Sequence, residues 1–199
     1  MRMSVPVLLC CVIAGVTSTA SAQVSGGVKI GANFSNLNFD SPDVPNFDRR
    51  TGLVAGVFVT IPASRHFDIQ PEVLYSQKGA KISEAGDKAT IELDYVDIPV
   101  LARYTSGGPA SVQVFGGPSF GLRTRARSKA EFGGTTQTQD IKNDVKSSDI
   151  GLVVGAGLES GRFTVDGRYQ WGLTNINKDE FDTTKVKNRT FSVLAGVRF

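Results

Sequence analysis

The chain has 199 residues, with 22 lysines and arginines against 19 aspartates and glutamates, a net charge of +3. This is the length of one domain, and so small a charge gives no reason to expect a nucleic-acid partner. Mean hydropathy is near neutral and no apolar run is long enough for a helical membrane span. Neither observation excludes membrane strands, which face lipid only on alternate residues.

Residues 1–22 read as a signal peptide. Arg2 supplies the positive start, Val5 to Val16 is a short apolar run, and Ala20-Ser21-Ala22 fits a cleavage site before Gln23. Both cysteines, Cys10 and Cys11, fall inside the leader. Leu9 stands where an acylated lipoprotein would want a small residue. The mature segment 23–199 then has no disulfide framework, no thiol nucleophile and a charge of +2 once Arg2 is lost.

From Val24 to Asn36, Val28, Ile30, Ala32 and Phe34 face one way and Lys29, Gly31, Asn33 and Ser35 the other. A polar loop follows to Arg50. The second strand, about Thr51 to Ile61, carries Leu53, Ala55, Val57 and Val59 on its apolar face, opposite a row that includes Val54 and Phe58. The third, Phe67 to Gly79, turns Gln70, Glu72, Leu74, Ser76 and Lys78 to the other side. Its Pro71 predicts an edge or bulge. Ala80 to Thr90 reads as a loop.

The fourth strand, Glu92 to Thr105, sets Val96, Ile98, Val100 and Tyr104 against Tyr95, Asp97, Leu101 and Arg103. The fifth, Ser111 to about Arg127, sets Val112, Val114, Phe120 and Leu122 against Gln113, Phe115, Ser119, Arg123 and Arg125. Ser128 to Lys146 reads as the longest loop. The sixth, about Ser147 to Glu159, opposes Ile150, Leu152, Val154 and Leu158 to Asp149 and Glu159. The seventh, Arg162 to Asn175, opposes Phe163, Val165, Tyr169 and Trp171 to Asp166 and Arg168. After a fourth polar loop, Asn188 to Phe199 closes the series with Phe191, Val193, Ala195, Val197 and Phe199 in one row.

Eight such strands, joined alternately by long loops and short turns, predict an all-β fold: an eight-stranded antiparallel up-and-down transmembrane β-barrel. The expected location is the outer membrane of a Gram-negative cell, with both termini periplasmic. Phe67, Tyr104, Phe163 and Phe199 would mark the periplasmic rim, and Phe34, Tyr75, Tyr169 and Trp171 the outer rim, where aromatic rings suit the interface. Phe199 is also the candidate assembly signal for the barrel-assembly machinery.

The phrases Ile69-Gln70-Pro71-Glu72-Val73-Leu74-Tyr75-Ser76-Gln77-Lys78-Gly79 and Leu93-Asp94-Tyr95-Val96-Asp97-Ile98-Pro99-Val100-Leu101 stand out. With Val28 to Ser35 and the ending Phe191 to Phe199, they resemble the PorT-like outer-membrane β-barrel family of Bacteroidota. The resemblance covers essentially all of the mature chain and implies an eight-stranded outer-membrane barrel. The family name comes from a component of a secretion and gliding system, so possession of the fold does not itself imply that role. The resemblance brings no catalytic residue with it.

The candidate sites are therefore polar clusters. A barrel of eight strands is just wide enough to be filled by side chains. Its inward charges would be Lys29, Glu72, Lys78, Asp97, Arg103, Arg123, Asp149, Glu159, Asp166, Arg168 and Arg198. Near-balance of sign fits a plug of ion pairs, while a narrow polar path for ions or small solutes is the alternative. Arg125, Arg127 and Lys129, continuing the spacing of Arg123, would share one side of the fifth strand as an anion contact for lipopolysaccharide. Solvated rim cations are the plainer account of them. His66 is the only histidine and stands in a turn, away from any second ligand, so neither a metal site nor a Ser-His-Asp arrangement is expected. Gly155-Ala156-Gly157 lacks the spacing and the following helix of a nucleotide fingerprint.

No cofactor and no enzymatic activity are expected. The expected partners are outer-membrane lipid and lipopolysaccharide, the assembly machinery and envelope or secretion-system proteins, with no nucleic acid. The expected role is structural, surface-interacting or accessory to an envelope system. A narrow pore is one alternative, and a soluble lipocalin-like barrel, with the apolar rows pointing inward, is another.

Overall fold

Among the described residues, alternation of apolar and polar side chains gives nine antiparallel strands, eight of which close into a barrel. The computed structural model describes residues 23–39, 48–84, 87–132, 135–143, 145–175 and 186–199. The expected leader and cleavage site lie outside them. The wall strands are β1 (Ser25–Phe39), β2 (Asp48–Pro62), β3 (Phe67–Glu84), β4 (Asp87–Thr105), β5 (Ala110–Phe132), β7 (Ser148–Ser160), β8 (Phe163–Gly172) and β9 (Val186–Arg198). β6 (Thr135–Asp140) pairs with β5 alone, from Arg127↔Asp140 to Phe132↔Thr135.

Closure runs through β1 and β9, which pair from Gly27↔Arg198 to Phe39↔Val186. Gly26 and Phe199 extend the seam by exchanging backbone hydrogen bonds of 3.3 and 2.9 Å. Closure removes the edges that an open sheet would leave. The turns after β2, β4 and β7 lie at the same end as the seam's Gly26–Phe199 pair. This is the turn end, and the opposite one is the loop end.

The apolar rows face outward and the polar rows inward. Ile30, Phe67, Leu158, Phe163 and Val165 are all more than half exposed, while Glu72, Lys78, Asp166 and Gln70 are buried. A soluble lipocalin-like barrel requires the reverse. Aromatics gather at both ends of the apolar band: Phe67 packs edge-on against Tyr104 at 5.1 Å, and Tyr169 lies 4.6 Å from Trp171.

Three expectations need correction. Ala80 to Thr90 is not a long loop. β3 and β4 stay paired through Ser83↔Lys88, so their strands reach 18 and 19 residues, and β5 reaches 23. Ser128 to Lys146 likewise holds the end of β5 and all of β6. A tilted membrane strand needs only about 9–11 residues, so β3 to β6 rise past the barrel as a blade. Beneath it Leu93, Tyr95, Ala80 and Ala126 pack with Ile91, Ile141 and Val145, which is why a sequence segment without a lipid-facing row still forms strand. Pro71 makes no bulge: Ile69, Glu72 and Val73 keep one register with β2, and Pro71↔Val100 keeps that of β4. The third correction concerns β5. Between Asp94 and Tyr95 the register shifts, with Tyr95 opposite Arg123 and Asp94 opposite Arg125, so Thr124 is an extra residue. One inserted residue exchanges the two faces. Arg123 therefore stays with the inward row, while Ala126 is buried and Arg125 and Arg127 are exposed.

Candidate functional site

The inward rows assemble into tiers along the barrel axis. At the turn end Arg103 pairs with Asp68 at 2.9 Å and with Glu159 at 3.2 Å, and it donates to Gln113 at 2.9 Å. Arg198 reaches the other oxygen of Glu159 at 2.6 Å. Asp68 was missed in the sequence because its place on the inward row of β3 falls at the edge of a turn.

The next tier is a closed square of charge. Lys29 Nζ lies 3.0 Å from Glu72 and 2.7 Å from Asp166, and Arg168 lies 2.6 Å from Glu72 and 2.9 Å from Asp166. All four side chains are buried. Lys29 also sits over the Phe58 ring at 5.0 Å and Arg168 over Phe115 at 5.3 Å. Two cations each holding two carboxylates satisfy the demand that buried charge be paired and hydrogen-bonded.

Apolar residues fill the interior beside these charges: Val54, Leu74 and Leu194 form one buried cluster, and Leu101, Phe115 and Val153 another. Toward the loop end Lys78 pairs with Asp97 at 2.8 Å and covers the Tyr95 ring at 5.1 Å. Asp149 accepts from Asn188 at 2.8 Å, and its other carboxylate oxygen has no partner among the described residues. A neutral chain joins Ser192, Asn33 and Ser76 through hydrogen bonds of 2.7 and 2.8 Å. Asn33, Ser76, Asn188 and Ser192 stand in the inward phase of their strands, so the period-two pattern itself could have nominated them.

Arg123 was expected among the ion-paired interior charges. It is partly buried, and instead of a carboxylate its guanidinium holds the carbonyls of Lys142, Val145 and Lys146 at 2.9–3.0 Å. It thereby ties the connection between β6 and β7 across the loop end.

On the blade, Arg125 approaches Asp94 at 3.5 Å, Tyr75 donates to the same Asp94 at 2.8 Å, and Lys129 pairs with Glu92 at 2.9 Å. Arg127 is exposed. Arg50 was missed because the sequence places it in a loop. It donates to the carbonyl of Lys78 and lies 3.6 Å from Glu92. Gly79 makes this crossing feasible: it adopts φ +138°, and a Cβ there would strike the Ile91 carbonyl and crowd the Arg50 side chain. Partial burial raises the Glu92 pKa, but the hydrogen bond and charge of Lys129, with Arg50 and Arg125, outweigh it and hold the carboxyl below its ordinary value. His66 Nδ1 lies 3.0 Å from the Thr105 carbonyl oxygen, which occupies the ring in the turn. Among the described residues no three His, Cys, Asp or Glu side chains form a metal-binding group.

An apolar exterior bounded by aromatics around a charged interior defines a transmembrane β-barrel. The model of the outer membrane protein beta-barrel domain family matches residues 18–178, and the chain belongs to that family, an outer-membrane one. Comparison with curated proteins gave no match. Among solved structures the chain is similar to Neisserial surface protein A, at 16% identity and TM-score 0.49, covering 89% of this chain and 99% of that one. It is similar to Ail, the attachment invasion locus protein of Yersinia pestis, in complex with the heparin analogue sucrose octasulfate (15%, 0.47, 89% and 99%). It is also similar to OprG of Pseudomonas aeruginosa (11%, 0.48, 88% and 94%).

Proposed function

We propose that this outer-membrane protein is a closed, non-enzymatic barrel that presents a surface blade, with both termini in the periplasm. The closed, buried square of Lys29, Glu72, Asp166 and Arg168 inside the barrel is the observation that carries the reading. Its four charges are committed to one another, so an ion entering it would have to break ion pairs whose members are buried. The connection held by Arg123 packs Ile141 and Val145 against the buried Leu93 and Tyr95 toward the loop end.

The blade supplies what a partner would meet. β6 is exposed along its whole length and rich in threonine and glutamine, and it pairs on one side with β5. An accessory envelope role of the PorT-like kind is the finer form of this reading, and the resemblance of the Ile69–Gly79 and Leu93–Leu101 phrases supports it. Lipopolysaccharide and envelope proteins are the partners that fit such a blade.

Planar-bilayer recording tests closure: the refolded protein should show no steady conductance. A steady conductance abolished by changing Arg103 or Glu72 would overturn closure and establish the narrow pore. Crosslinking in intact envelopes from a residue in Thr135–Asp140 tests the surface role. Failure to capture any envelope component from that strand would count against it.

A further inference from the structure

We propose that the outward wall of β8, β9, β1 and β2 carries a binding site for the phosphate monoester headgroup of a membrane lipid in the loop-end leaflet, held by Arg49 and Arg189. The site begins with a row of aromatics in register. Tyr169 stands opposite Phe191, and Phe191 opposite Phe34, whose rings stack at 6.3 Å with 30° between their planes. Two residues nearer the loop end, Arg189 lies opposite Asn36 on one side and Trp171 on the other. Arg49 follows directly on the Ser35↔Arg50 pair of β1 and β2. Phe34, Asn36, Arg49, Tyr169, Arg189 and Phe191 line one cleft of about 180 Å³.

Depth identifies the occupant. Aromatic rings of a barrel girdle settle where hydrocarbon meets headgroup. Two residues of strand rise about 7 Å, so the guanidinium groups stand at the level of lipid phosphates, above a floor that acyl chains can cover. Charge narrows the class further. Two exposed arginines at one cleft match a dianionic phosphate monoester better than a zwitterionic phosphodiester, whose own ammonium competes for the phosphate. The blade differs here: Arg125 and Lys129 already face Asp94 and Glu92, whereas among the described residues Arg49 and Arg189 face no carboxylate. The inference rests on the membrane location and is independent of whether the barrel conducts.

Trp171 is the only tryptophan and neighbours Arg189 across the strand pair, so it reports the site. The protein is refolded into phosphatidylcholine vesicles in which brominated phosphatidic acid, phosphatidylglycerol or phosphatidylcholine is the quencher at equal mole fraction. Brominated phosphatidic acid should quench Trp171 as though enriched roughly fivefold or more over brominated phosphatidylcholine, since each basic side chain near a charged membrane surface gives about that factor. The excess should vanish in the Arg49→Gln/Arg189→Gln variant and persist in Arg125→Gln, with heat-modifiable gel mobility confirming that each is folded. Equal quenching by phosphatidic acid and phosphatidylcholine in the unaltered protein overturns the proposal. So does equal enrichment of phosphatidylglycerol, which would indicate general anion attraction, or loss of the excess on adding free inorganic phosphate at no more than the concentration of the phosphatidic acid, which would indicate an ion site that does not need the lipid. A conducting barrel that passes this test would overturn closure and leave the lipid site standing.

Discussion

In the turn-end half of the interior, Lys29 and Arg168 each touch both Glu72 and Asp166, and Arg103 and Arg198 share Glu159. In the loop-end half, Lys78 has Asp97 alone, Asp149 relies on the neutral Asn188, and Arg123 spends its donors on loop carbonyls. The first half is a lattice in which each charge of the square touches two of opposite sign, so that removing one weakens the pairing of two others. The second is a set of separate bonds. Stability should therefore concentrate in the turn-end half, leaving the loop end free to differ in charge without loss of the barrel.

The largest effect should come from Glu72→Gln. It leaves Lys29 and Arg168 sharing one carboxylate in a buried site, a loss of about 3–5 kcal/mol for breaking a buried pair. Urea unfolding in lipid vesicles measures it. A loss no larger than that of Asp97→Asn would erase the contrast between the halves.

Arg123→Ala should come next and act locally. Charge-assisted hydrogen bonds to three carbonyls disappear, and removing such bonds costs about 1–3 kcal/mol. That cost should appear as opening of the β6–β7 connection rather than of the barrel. Trypsin cleavage after Lys142 or Lys146 should accelerate while the heat-modifiable gel shift stays unchanged. A barrel that unfolds with the connection would make Arg123 part of the lattice after all.

How these parts read in the sequence follows from the range of each interaction. Alternation is a local signal, so the eight wall strands and the inward phase of Glu72, Asp166 and Arg168 can be read directly. Partnership is not local: Lys29 meets Glu72 across 43 residues and Asp166 across 137. Composition could supply the near-balance of charge but not the square. The blade was hidden for a different reason. Beyond the membrane no lipid-facing row is needed, so Ala80 to Thr90 and Ser128 to Asp140 look like loop. The bulge at Thr124 was hidden by its size, since one extra residue leaves the Arg123, Arg125, Arg127 spacing intact while exchanging faces.

Asp149→Asn should matter little. The carboxylate takes one hydrogen bond from Asn188 and forms no ion pair with a described residue, so loss of its charge should change stability by less than about 1 kcal/mol. The same unfolding assay applies. A loss approaching that of Glu72→Gln would mean that Asp149 is coupled to Lys78 and Asp97 as tightly as the turn-end charges are to one another.

The smallest effect concerns pH on the blade. Glu92 is held below its ordinary pKa by Lys129, Arg50 and Arg125 against the opposing pull of partial burial. A carboxyl depressed in the folded state binds fewer protons there than in the unfolded chain. Its contribution is therefore complete above the ordinary glutamate value and is lost as pH falls through the depressed one. Glu92 is partly exposed and screened by salt, so the contribution is a few tenths of a kcal/mol at most. Amide exchange in Ile91–Asp94 and Arg127–Lys129 should quicken on acidification, more at low than at high salt. Glu92→Gln should flatten that response while leaving the pH behaviour of the barrel strands unchanged. Acid-labile exchange that spreads into β8 and β9 would show that the blade and the turn-end lattice unfold as one unit.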